Sequence, residues 1–429
     1  MLNTLNQIWQ ARDLRKKIIF TVAILIFYKF LTHIGVPGIN RDALTAIFNE
    51  NNILGAFSLL TGGSAENFSI VMMGISPYIN ASIIIQLLTV IVPSLENLKK
   101  EGQQGQQIIN RYTRYLTFPL AFLQSYGMIL LLNSQSPIIS DVNNPAIIIP
   151  IMLITASGTV LLVWLGELIS EKGIGNGISL IIFTSIIAGI PQIIGQNLSL
   201  ITTGNQKLVI VFSAICIITL ILTIIVTLFT EAHRRIPITY GAQKRSTIDT
   251  SLPIRVNQAG MIPIIFAISL MTFPTIIAQI FNSSENLYMQ KIITFILTYF
   301  QETNLLYISL YFFLIFVFTF FYVGITFNPD DLAENIQKRG GFIPGIRPGK
   351  QTSEYIQRVS NAMNLFGGLF IGFIAIVPIL AQFFFSEFNL GSATLLISGA
   401  GILIIVGVIL DLFRQIKTEL ALHHYKKLY

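Results

Sequence analysis

The sequence is short of charge. Asp, Glu, Lys and Arg make up 11% of its 429 residues, against about 25% in soluble domains. Hydrophobic residues make up 53%, and the mean hydropathy is +0.70. That balance excludes a soluble globular chain and points to an integral membrane protein. Cysteine is nearly absent. Cys216 alone, inside an apolar run, allows no disulfide framework and no cysteine metal site. The only histidine pair, His423–His424, lies near the C-terminus, and no HExxH occurs, so intramembrane zinc proteolysis lacks its ligands. No nucleophile–base pair and no paired aspartates lie in the apolar runs. Solute transporters place paired ionisable groups near the midplane. Here Lys29, His33, Glu167, Glu231 and Asp411 all fall near helix ends. The segment GIRPGKQT fails as a phosphate loop: Gly345 and Gly349 stand one residue too close, and Gln351 follows Lys350. Any driving energy is therefore expected from a partner.

Long apolar runs are what the chain has instead. Hydropathy windows predict ten spans, at 18–35, 69–93, 115–133, 146–170, 177–197, 207–230, 256–281, 303–327, 364–385 and 392–412. The first run has no small-residue cleavage site after it and reads as a retained span. Basic residues fall on one side of this arrangement: Arg12, Arg15, Lys16 and Lys17, the loops near 99–114 and 171–176, two larger loops, and the tail. Of the 27 Lys and Arg, only Arg41, Lys207 and Lys291 lie on the other side, and Lys29 lies within the first span. By the positive-inside rule both termini are cytoplasmic or stromal. The chain divides near residue 200 into halves of five spans, 1–200 and 201–429. Because five is odd, the second half is inverted relative to the first, an arrangement that commonly encloses a polar pathway.

One apolar stretch is too short to span. NILGAFSLLTGG, with Ile53, Leu54, Phe57 and Leu60 ahead of Gly62 and Gly63, makes about two and a half turns, far below the roughly 20 residues a bilayer requires. Backbone breakers also interrupt full-length spans: Gly74 and Pro77, three glycines in GIGNGISLII, and Pro263. In lipid such breaks are tolerated where protein or water satisfies the freed groups. They either border a cavity or reflect the ordinary Gly and Pro content of membrane helices. Ile75 and Ile79 share a helical face, as do Ile178 and Ile182. Such faces either form a dewetted constriction or pack against lipid and neighbouring helices.

Two loops stand out. In 328–358 the sequence RGGFIPGIRPGKQTSEYI places Arg347 between two Pro-Gly units, with Lys350 following. Proline fixes φ and glycine allows reversal, so the guanidinium is presented on a stiff turn. The loop 231–255 carries Arg234, Arg235, Lys244 and Arg245. Both loops either set topology or form a dock for a large anionic partner.

At these residues the chain resembles the SecY family of protein-conducting channels. The matching segments run nearly end to end: VPGIN at 36–40, GISPYINASIIIQLLTV at 74–90, KKEG then RYTRY, SEKGIGNGISLII at 170–182, RRIPITY at 234–240, VNQAGMIPIIFA at 256–267, FNPDDLAENIQKRGGFIPGIRPGKQT at 327–352, and GILIIVGVILDLF at 401–413. The resemblance implies an all-α polytopic membrane protein, its ten transmembrane helices in two inverted five-helix halves forming a clamshell pore. Residues 53–63 would be the plug helix. The pore ring would be Ile75, Ile79, Ile178, Ile182, Ile265 and Ile405, although GAGILII departs from the commoner GGTSLLI and leaves Ile405 least secure. Asn257 would belong to the lateral gate, and Arg347 to the dock for motor ATPase and ribosome.

Implied partners are SecE and SecG, the SecA ATPase, the ribosome, signal-bearing preproteins and the lipid bilayer. No cofactor, metal or enzymatic activity is implied. The Ile- and Asn-rich composition and cyanobacterial-looking motifs suggest a plastid-encoded copy in the thylakoid membrane, with a bacterial plasma or thylakoid membrane as the alternative. Rival readings are an inverted-repeat small-solute transporter, an intramembrane enzyme and a ribosome-binding scaffold.

Overall fold

The structure, a computed structural model, describes residues 10–40, 43–44, 62–139, 141, 144–201, 206–240, 251–281, 286–300, 304–385 and 399–428. In chain order the helices and strands are α1 (Arg12–Leu31), α2 (Ser76–Ile91), α3 (Pro93–Lys100), α4 (Gln103–Gln135), α5 (Pro145–Lys172), α6 (Gly177–Ile201), α7 (Gln206–Glu231), β1 (His233–Pro237), β2 (Thr239–Tyr240), β3 (Ser251–Arg255), α8 (Ile262–Ile280), α9 (Leu287–Tyr299), α10 (Leu305–Thr326), α11 (Pro329–Lys338), β4 (Gly341–Phe342), α12 (Lys350–Phe385) and α13 (Gly399–Leu428). Each stretch expected to span overlaps one helix. Five described helices are long and apolar enough to cross a bilayer, or six if α2 and α3 count as one bent span.

Local chemistry sets the boundaries. Asparagine recurs as the N-cap: the side chains of Asn144, Asn304 and Asn328 accept from the first free N–H groups of α5, α10 and α11. Proline ends α2. Val92, preceding Pro93, is extended (φ −99°, ψ 111°), and the axis bends by 99° into α3. The expected second span starts at 69, but helix begins only at Ser76. Residues 62–75 run as successive turns, with Phe68 and Gly74 at positive φ (41° and 56°) and Pro77 in the first helical turn. The seventh span likewise becomes helical only at Ile262, because Gly260 at φ 65° and Pro263 place a turn ahead of it. Within 282–302, expected as a connection, lies α9.

Helices α2, α4 and α5 pack in sequence on one another, as do α8, α10 and α12. The two sets meet where α8 lies against both α2 and α4, and α6 touches α7 and α13. Lipid supplies no hydrophobic drive between helices, so close backbone approach carries much of the association. Gly177 shows this: a Cβ there would stand 1.9 Å from the Gly166 carbonyl oxygen of α5. At one end of the bundle Lys17 and Glu419 pair at 2.6 Å. Ala11, Leu14, Ile174 and Leu420 cluster beneath them. Both described ends of the chain and the 173–176 turn therefore share one end.

Gly177→Ala is expected to push α5 and α6 apart at a cost of about 1–3 kcal/mol, read as a lower melting temperature in detergent. Gly195→Ala on the same helix, with open space around it, is expected to leave melting unchanged.

Candidate functional site

Two places concentrate the sequence's candidate residues. The first is an apolar cluster where α1, α2, α5, α6, α8 and α13 converge. Ile75, 5% exposed, sits in it with Leu165, Ile169, Leu180 and Ile181, and Ile79, Ile178, Ile182 and Ile265 pack against it partly buried. The structure thus brings together five isoleucines from three helices. Their helices start close by: Ile75 precedes the first residue of α2, Ile178 is the second residue of α6, and Ile265 lies in the first turn of α8. These are the three helices whose sequences carry Gly and Pro breaks. Ile405 is not among the residues of this cluster. Its neighbours Ile404 and Val408 are, and both are buried. One step along a helix turns a side chain by about 100°, so adjacent Ile404 and Ile405 point in different directions.

The breaks are satisfied by protein groups. Asn176 accepts from the N–H groups of Ile178 and Ser179 (3.1 and 3.2 Å), capping α6. Ser170 Oγ accepts from Gly177 N–H at 2.9 Å, and Thr21 Oγ1 accepts from Ile174 N–H at 3.1 Å. Asn257, 7% exposed, accepts from Gly260 N–H at 2.8 Å and so holds the turn ahead of α8.

Of the short apolar stretch, Ile53, Leu54, Phe57 and Leu60 lie outside the described residues. Its end does not: Gly62 and Gly63 adopt φ 68° and 81°, which only glycine adopts readily. Gly62 is held from two helices. Lys29 Nζ donates to its carbonyl at 2.8 Å, while a Cβ on it would stand 3.0 Å from Ser185 Cα and 3.3 Å from the Tyr28 hydroxyl. Tyr28 and Ser185 hydroxyls are bonded at 2.6 Å. A polar pair in two apolar spans was the signal available in sequence. Of the other ionisable groups near helix ends, Glu167 pairs with Arg114 at 3.0 Å and Asp411 with Arg414 at 3.2 Å. No group of three or more His, Cys, Asp or Glu able to hold a metal occurs among the described residues.

The second place is a platform built by the two basic loops. β1 pairs antiparallel with β3, and β2 pairs with β4, joining segments a hundred residues apart. Beneath them Ile236, Ile238, Ile254, Ile336, Ile343 and Ile356 form a small core. Ile343-Pro344-Gly345-Ile346 closes a turn, with Ile346 N–H donating to Ile343 O at 3.0 Å and Gly345 at φ 81°. The second Pro-Gly unit leads into α12, and Thr352 Oγ1 donates to the Arg347 carbonyl at 2.9 Å. The side chains of Arg347 and Lys350 are left exposed, as are those of Arg234 and Arg235. Lys244 and Arg245 lie outside the described residues. Beside β1 a shallow depression of about 620 Å³ is lined by Leu228, Glu231, His233, Arg234 and Arg235.

A model of the SecY family matches residues 69–413. The protein translocase subunit SecY of Buchnera aphidicola is 40% identical over 441 residues, covering 99% of this chain and 97% of that protein. That of Halalkalibacterium halodurans is 39% identical over 440 residues, covering 99% of each. Among solved structures, a protein-conducting channel superposes with TM-score 0.67 at 19% identity, covering 94% of this chain and 92% of that one. Sec61 in the canine ribosome-channel complex of the endoplasmic reticulum gives 0.64 at 18% identity, covering 94% and 92%.

Ile356→Asp, at a fully buried position, is expected to cost several kcal/mol and to open the platform. Limited proteolysis should then cut 233–255 and 340–349 faster than in the parent, with the spans unaffected.

Proposed function

Since this chain belongs to the SecY family, we propose that it is the central protein-conducting subunit of a Sec translocase. It moves unfolded preproteins across the membrane and releases hydrophobic segments sideways into lipid. The observation that carries the reading is the convergence of isoleucines from α2, α6 and α8 in one apolar cluster, at the junction of the two helix sets. An apolar collar excludes ions because its interior does not hold water. A passing chain has its own bulk, and branched aliphatic side chains close around it.

Ten spans in two inverted halves, 1–200 and 201–429, surround this collar. The overlap of ten helices with ten apolar runs supports that count, and the shared end occupied by Lys17 and Glu419 supports an even number. The basic loops support a cytoplasmic or stromal placement of that end; an epitope beyond α13, protected from external protease, checks it. A signal sequence wedges between α2 and α8, the contact that separates the halves laterally, with Asn257 ahead of α8. Apolar segments then leave through the gap, since lipid favours them.

The plug is residues 53–63, anchored at Gly62 by Lys29. It is apolar enough to occupy the cavity and too short to commit to lipid. The α13 contribution to the collar is Ile405, one residue from the buried Ile404. Arg234, Arg235, Lys244, Arg245, Arg347 and Lys350 dock SecA or the ribosome, whose anionic surfaces suit an exposed, rigidly mounted guanidinium. The chain supplies the passage and its partner supplies the force. SecE and SecG complete the complex. The Ile- and Asn-rich composition supports a thylakoid location, which immunodetection in fractionated plastids would test.

Deleting residues 54–62 is expected to raise resting ion conductance in planar bilayers, while Ile79→Gly with Ile182→Gly raises the leak during transport. Unchanged conductance in both would place the seal elsewhere. Arg347→Glu is expected to abolish most SecA-driven transport, with the channel still inserted and α12 still folded. Parental transport rates would remove Arg347 from the dock.

A further inference from the structure

Helix α9 is 13 residues long, about 20 Å at 1.5 Å per residue, and cannot cross a hydrocarbon core of roughly 30 Å. Asn286 fixes its start by accepting from Tyr288 N–H at 3.1 Å. At about 3.6 residues per turn its side chains fall into three lengthwise strips. Ile293, 5% exposed, faces the protein, where α9 packs on α8. Gln290, Lys291, Thr294 and Thr298 make a polar strip. Tyr288, Ile292, Phe295 and Tyr299 recur at i, i+4, i+7 and i+11, all exposed, Tyr288 by 80%.

That apolar strip runs the full helix, with the Phe295 and Tyr299 rings 4.6 Å apart. The flanking segments also expose apolar side chains, Phe281 just past α8 and Leu305 opening α10. A protein-binding patch is rimmed by polar groups. This strip is polar along one edge only, and α10, the next helix in the chain, is long and apolar enough to cross a bilayer. Tyrosine at each end suits the headgroup level, where an aromatic body is buried and its hydroxyl stays wet. Lys291 borders the strip, with a stem long enough to bring its ammonium to phosphate.

We infer that α9 is an interfacial helix that buries Tyr288, Ile292, Phe295 and Tyr299 among lipid acyl chains, in the leaflet away from the chain's ends. Its polar strip faces water. Because α9 packs on α8, it ties the helix carrying Ile265 to the membrane surface.

The chain holds two tryptophans, Trp9 and Trp164. In a background of Trp9→Phe and Trp164→Phe, Ile292→Trp and Thr294→Trp are compared in vesicles of phosphatidylcholine brominated on its acyl chains. Quenching of Trp164, which is exposed on α5, defines inserted protein in a separate Trp9→Phe chain. The expected result is loss of emission from position 292 and retained emission from position 294. Equal quenching at both positions overturns the inference. So does a bright 292 emission, as a protein cover over the strip would give. The assay needs insertion and not translocation, so its outcome is independent of the channel reading.

Discussion

Inside a bilayer a backbone N–H or carbonyl without a partner costs several kcal/mol, and this constraint governs where the chain is allowed to leave helix. Among the described residues, three of the places where it leaves helix precede α2, α6 and α8, and protein groups close them. The turns at 62–75 are pinned to the end of α1 by Val36 N–H donating to Phe68 O (2.9 Å) and Ile70 N–H to Ile34 O (3.0 Å). The turn at 173–176 depends on Thr21, Ser170 and Asn176, and that at 256–261 on Asn257. Most of the buried polar side chains here therefore serve structure.

The same three breaks start α2, α6 and α8, and bring Ile75, Ile178 and Ile265 to a common cluster. A run of unbroken helices would present its faces along its whole length. Helices that begin at a break present their first turns, and first turns can converge. Gly62, beside this space, is gripped by Lys29 and lies against Tyr28 and Ser185.

Much of this was legible in sequence because it follows from local rules. Long apolar runs marked the helices, Gly and Pro marked the breaks, and the Pro-Gly units marked a stiff loop. What escaped depends on non-local packing or on residues that serve two environments. The β2–β4 pairing joins Thr239–Tyr240 to Gly341–Phe342, and two residues carry no strand pattern. α9 reads as loop because its apolar residues are too few for a span and its polar ones too many. Ile404 and Ile405 are chemically identical, and only the rotation of α13 decides which one enters the cluster. Lys244, Arg245 and the apolar residues of 53–60 lie outside the described residues.

The account rests on this chain forming a passage for polypeptide. Its most direct test is protease-protected import of a signal-bearing preprotein into liposomes containing this chain, a SecE partner, SecA and ATP. The prediction is a protected product that disappears when either the chain or SecA is omitted. Protection that persists without the chain would contradict it, as would none at all with the chain folded and SecA bound.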